Sequence, residues 1–123
     1  MPDLLIWVAG WQHQCCGNDF AVGGTVSWNV HEPDRDWHST LLGDDLAQRL
    51  DGEEGHHADR VDRTLDGTVR SIAAVHCAYD RAASRWIPGT ATFTTQDPAD
   101  RWTPDRENLI FVGYLVGVSV TPA

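Results

Sequence analysis

The sequence predicts a mainly β protein: a small β-barrel or strongly curved antiparallel sheet, with one short helix in an acidic insertion. Three observations carry this: a long alternation at Ile110–Val120, shorter alternating runs around Trp28 and Phe93, and a near absence of helical periodicity. A length of 123 residues fits one domain, 1–123, around one core. Hydrophobic residues make up 41% and charged residues 22% of the chain, the balance of a folding sequence rather than a disordered one.

The elements follow in order. Leu4 to Val8 is a continuous apolar run suited to a strand buried on both faces. After Phe20-Ala21-Val22, the pair Gly23-Gly24 supplies a tight turn, and Val26, Trp28 and Val30 then alternate with polar residues as a half-buried strand. Residues 31 to 66 lack such alternation for most of their length and read as an insertion. Its only helical signal is Leu42, Leu46 and Leu50 at i, i+4 and i+8, with Ser39, Thr40 or Asp44 to cap it and Gly52 to stop it. From Gly67 to Tyr79 β-formers return with a slip of phase, which a bulge near Ser71 to Ala74 would reconcile. Thr90 to Thr95 alternates threonine with Ala91 and Phe93, and Pro98 and Pro104 around Trp102 mark a surface loop. The last strand puts Ile110, Val112, Tyr114, Val116, Val118 and Val120 on one face. Its other face carries Gly113 and Gly117, where a sheet can bend or a backbone approach closely.

The formal net charge is −9, and all nine basic residues are arginines. With no lysine there is no Schiff-base or P-loop chemistry, and the acidic balance disfavours nucleic acid and anionic membranes as partners. Residues 31 to 66 hold eleven Asp or Glu against four Arg, together with His31, His38, His56 and His57, so the charge is local. The first residues lack the basic start and length of a signal peptide, and the apolar run Leu109–Val118 is too short to span a bilayer. The expectation is a cytoplasmic protein.

Cys15, Cys16 and Cys77 form no disulfide ladder and read as free thiols. The most unusual local feature is Trp11-Gln12-His13-Gln14-Cys15-Cys16-Gly17. Thiolate and imidazole are the ligands zinc prefers, so Cys15, Cys16, Cys77, His56 and His57 form a candidate zinc set. No Cys-x-x-Cys or His-Glu-x-x-His spacing supports it, and buried cysteines beside a solvated histidine loop are the competing reading. A cysteine-dependent enzyme would need a thiolate activated by an imidazole such as His13, His56, His57 or His76. The adjacent Glu53 and Glu54 read as a solvated face rather than an acid–base pair. Trp28 is in phase with the core, whereas Trp11, Trp37, Trp86 and Trp102 are candidate ligand-binding residues.

On Trp11-Gln12-x-x-Cys15-Cys16-Gly17, Phe20-x-Val22-Gly23, the Glu53-Glu54 and His56-His57 pairs, Gly67-x-Val69-x-x-Ile72 and Phe111 to Val116, the chain resembles a family of small uncharacterised actinobacterial proteins. That family is a domain of unknown function. Here Gly55 separates the Glu-Glu and His-His pairs. The resemblance implies a bacterial origin and no mechanism. The sequence favours a non-enzymatic module that binds a protein or a small ligand. A zinc-binding protein and a small cysteine-dependent enzyme are the alternatives, and an open edge strand would permit a homodimer.

Overall fold

The computed structural model describes residues 3–10, 20–55, 63–99 and 103–120. In chain order the elements are β1 (Asp3–Ala9), β2 (Thr25–His31), α1 (Arg35–Leu42), α2 (Asp44–Arg49), β3 (Gly52–Glu54), β4 (Arg63–Cys77), β5 (Tyr79–Asp80), β6 (Arg85–Trp86), β7 (Thr92–Thr95) and β8 (Ile110–Val120). Five strands close into a barrel in the order β2-β3-β1-β8-β4, because the first half of β4 also pairs with β2. Closure removes the edges that an open five-stranded sheet would otherwise expose. β1 and β3 run parallel, and the remaining pairs are antiparallel. The second half of β4 leaves β2 and carries β7 instead.

The continuous apolar run of β1 is explained by its two buried faces. Ile6 and Val8 enter the barrel interior with Val30, Leu65, Ile72, Tyr114, Val116 and Val118, whereas Trp7 faces outward into a second cluster with Leu41, Leu50, Val75, Cys77 and Leu115. The outer cluster is roofed by α1 and α2, so the protein has a barrel core and a helix-on-sheet layer. Gly113 permits that layer: a Cβ there would lie 2.5 Å from the Val8 carbonyl oxygen and 2.6 Å from Cζ2 of Trp7.

The expected barrel is present, with differences in detail. Two short helices occur among the described residues rather than one, because Gly43 adopts φ +94° and breaks the leucine stripe between them. The cap of α1 is Asp34, whose Oδ1 accepts from the Trp37 N–H at 3.1 Å. The bulge in β4 falls at Arg70, between Val69 and Ser71, slightly before the expected place. A second irregularity, at Val112 of β8, reverses the phase of that strand, so Phe111 rather than Ile110 or Val112 joins Tyr114 in the barrel core. Segment 31–66 supplies the helices, barrel strand β3 and the start of β4. Glu53 and Glu54 are therefore strand residues and not a solvated face: Glu54 is 3% exposed and Glu53 is half-buried. No helix among the described residues is long and apolar enough to cross a membrane.

Candidate functional site

Two of the tryptophans singled out in the sequence meet in space. Trp37 stands in the first turn of α1, and Trp86 on β6. With Thr40, Leu41, Ser84, Arg85 and Pro88 they line a half-open groove of about 380 Å³, a volume in the range of small-molecule sites.

Each wall is fixed by local chemistry. On the helical side, Asp34 sets the start of α1, and the Arg35 guanidinium reaches the carbonyl oxygen of Ala47 at 2.9 Å, tying α1 to the end of α2. The Trp37 ring rests edge-on against Trp7 with centroids 6.0 Å apart, and Leu41 beneath it is buried. On the opposite side, Asp80 Oδ1 accepts from the N–H groups of Ala82 and Ala83 at 3.0 and 3.1 Å, which shapes the turn ending in Ser84. The Trp86 ring packs against Tyr79 at 4.9 Å. Thr90 closes the far turn, its hydroxyl donating to the Ile87 carbonyl at 2.7 Å and accepting from Ala78 N–H at 3.0 Å. Arg85, a further lining residue, has no ion-pair partner among the described residues.

A second polar constellation holds the helical wall in place. His38 follows Trp37, is fully buried, and donates from Nε2 to Glu53 Oε1. Glu53 Oε1 also accepts from the Asp34 N–H at 3.0 Å, and Oε2 lies 3.8 Å from His31 Nε2. Burial alone would raise the Glu53 carboxyl. The hydrogen bonds from His38 and Asp34 and the charge of His38 and His31 outweigh it and hold the group below its ordinary value. His38 is boxed by Trp7 and Trp37, at 5.1 and 4.9 Å, and its Nδ1 is buried with no hydrogen-bond partner among the described residues. The arrangement fastens α1 to β3 through a fully buried imidazole. Sequence reading missed this pair. The available signal was the spacing of His38 from Leu41 and Leu42, at i+3 and i+4, which places the imidazole on the apolar face of a helix.

The candidate metal and thiol residues are distributed differently. Cys77 is fully buried in the outer cluster, where burial pushes its thiol up to about 11. His76, its neighbour, faces the other way, against Phe111 at 5.7 Å, and donates from Nε2 to the Pro104 carbonyl at 3.0 Å. Cys77 is thus without an activating imidazole from its sequence neighbour. Among the described residues no group of three His, Cys, Asp or Glu side chains is placed to hold a metal ion. Trp11, Cys15, Cys16, His56, His57 and Trp102 lie outside the described residues.

Comparison with curated proteins and with solved structures returned no match to this chain. A sequence family described only as a family of unknown function, DUF6578, matches residues 3–120. That span takes in every strand of the barrel and both walls of the groove, and the chain belongs to this family of unknown function.

Proposed function

We propose that this chain is a non-enzymatic binding module for a small, flat, apolar ligand bearing an acidic group, held between Trp37 and Trp86 with its anion toward Arg85. The observation that supports this reading is the convergence of two indoles from separate parts of the chain on one groove, beside a guanidinium with no ion-pair partner among the described residues, in a protein of net charge −9. Aromatic walls supply apolar area and stacking at low entropic cost, and a single cation at the rim orients the ligand. Among the described residues the groove presents hydroxyls, an arginine and apolar rings but no nucleophile paired with a base, which favours binding over turnover.

The test is titration of the whole protein with anilinonaphthalene sulfonate, an aromatic anion whose fluorescence rises on transfer to an apolar site. Saturable binding with a raised melting temperature is expected. Trp37→Ala and Trp86→Ala should each weaken it by about tenfold, the loss of roughly 1.4 kcal/mol of contact. Val22→Ser, which alters an exposed apolar residue that does not line the groove, should leave it unchanged. Wild-type affinity in both tryptophan variants would refute the assignment.

A further inference from the structure

Beyond the groove, three strands lie outside the closed ring, of which β5 and β6 pair with each other. Among the described residues β7 lies outside the closed ring and is paired with β4 alone. The Gln96 N–H donates to the Ile72 carbonyl at 3.1 Å, which fixes the phase of the ladder. In the register Ala73↔Thr95, Ala74↔Thr94, Val75↔Phe93 and His76↔Thr92, Thr92 and Thr94 turn their backbone groups toward β4. Phe93 and Thr95 turn theirs outward. Among the described residues that outward edge has no strand partner, and its amides and carbonyls form a row that another strand can pair with.

Natural edge strands are usually blunted by charge, proline or a bulge. The stretch Thr90-Ala91-Thr92-Phe93-Thr94-Thr95-Gln96 has no charged residue and no proline, in a chain in which 22% of residues are charged. The charged side chain that touches it, Arg106, donates to Thr94 Oγ1 at 3.1 Å. Thr94 is opposite Ala74 of the barrel core, so this contact lies on the face away from Phe93. Phe93 shares the face of Val75 and is 46% exposed in the middle of the strand. Two copies of a protein with net charge −9 repel over most of their surfaces. This uncharged strand is where they can approach with least repulsion, and an antiparallel edge is complementary to itself about a two-fold axis.

We infer that β7 is the interface of a homodimer, in which β7 pairs antiparallel with β7 of a second copy about an axis at Phe93. The pairing sets Phe93 opposite Phe93 of the second copy, places Ala91 opposite Thr95 on either side, and joins β4 and β7 of both copies into one continuous sheet. It satisfies the outward backbone groups of Phe93 and Thr95 and covers the exposed rings with each other. The axis excludes a charged residue at its centre, since two like charges would then face each other across the seam.

Sedimentation equilibrium on the full chain tests this directly, with twice the 13.6 kDa of one chain expected for the wild type. Phe93→Asp puts two carboxylates on the axis, and Thr95→Pro removes an outward N–H without touching the bonds to β4. Both should be monomeric, with circular dichroism confirming that each is folded. Hydrogen exchange on the wild type needs no variant: the amides of Phe93 and Thr95 should be protected in proportion to the dimer fraction. A monomeric wild type at about 0.1 mM, well above ordinary dimer constants, would overturn the inference. So would a dimer that survives both substitutions in folded protein, or a dimer in which those two amides exchange freely.

Discussion

His38 on α1 and Glu53 on β3 are hydrogen-bonded across the boundary between the helical layer and the barrel. The imidazole is fully buried and Glu53 holds the first turn of α1 as well, through the Asp34 N–H. Removing the carboxylate leaves the buried imidazole without its acceptor, and removing the imidazole takes a bond from the half-buried carboxylate, so Glu53→Ala and His38→Ala should each destabilise the protein by about 2–3 kcal/mol. Because the two losses share one interaction, the double variant should fall short of their sum by more than about 1 kcal/mol. Urea unfolding of the wild type, the two single variants and the double variant gives the coupling directly. Strict additivity would mean that the two side chains act independently.

The same pair sets the response to acid. Glu53 has its folded value lowered from the ordinary 4.5, so the fold binds fewer protons than the unfolded chain in that range. The stabilisation is fully present above 4.5 and is lost as pH falls through the lower folded value. Thermal melts from neutral pH down to strong acid should show a decline beginning below that point. Glu53→Gln, less stable at neutrality, should lack part of the decline, so the two curves converge in acid. Parallel curves would remove Glu53 from the acid response.

The strands were legible in the sequence where their neighbours are uniform. β1 has an apolar partner on each face and reads as a continuous run, and Val26, Trp28 and Val30 of β2 read as alternation. β8 was legible only as far as its irregularity, because one extra residue at Val112 exchanges the faces and no local pattern marks it. β3 was not legible at all: Gly52-Glu53-Glu54 has no strand propensity, and it is held in place by the barrel seam and by Asp51, which exchanges bonds with the Leu5 backbone at 2.8 Å. The groove was half legible. Trp37 and Trp86 stood out as tryptophans in irregular segments, but the docking of α1 on β1 that brings them together depends on contacts between residues far apart in sequence.

Gly113 and Gly117 look equivalent in the sequence and differ in the structure. A methyl at Gly113 meets the Val8 carbonyl oxygen at 2.5 Å and Trp7 Cζ2 at 2.6 Å, so β1 and β8 must separate or the buried Trp7 ring must move. A methyl at Gly117 meets Ser71 Oγ at 2.5 Å, and that exposed hydroxyl can rotate away. Gly113→Ala should therefore cost about 3 kcal/mol, the upper range of overpacking, and Gly117→Ala under about 1 kcal/mol. Paired denaturant melts decide it, and equal losses would contradict the close packing of Trp7 on β8.

Arg85 separates the apolar and ionic parts of the proposed recognition. Arg85→Gln keeps the groove's shape and removes the cation. Binding of anilinonaphthalene sulfonate should weaken by about twofold to fivefold, the range of an exposed charge contact, while its uncharged counterpart phenylnaphthylamine should bind as before. The weakening should also shrink with added salt, since an exposed pair at the rim is screened. An equal effect on both probes would assign Arg85 a packing role along the groove wall in place of charge recognition.

Cys77 offers the sharpest contrast between a reactive and a structural thiol. It is fully buried with Trp7, Leu41, Leu50, Val75 and Leu115, and burial pushes its thiol up to about 11. At neutral pH only on the order of one thiol in 10,000 is then ionised, and none of it faces solvent. Iodoacetamide should modify Cys77 in native protein no faster than the protein unfolds, whereas it should react at the ordinary rate in denaturant; peptide mass analysis after timed quenching measures both. Cys77→Ala should cost about 1 kcal/mol, because only a small apolar contact is lost. Cys77→Ser should cost about 1–2 kcal/mol more, because its hydroxyl enters a cluster with no partner for it. Rapid labelling of the native protein, or a serine variant as stable as the alanine one, would show that water reaches this side of the sheet and that the helical layer covers it less tightly than the packing of Leu41 and Leu50 requires.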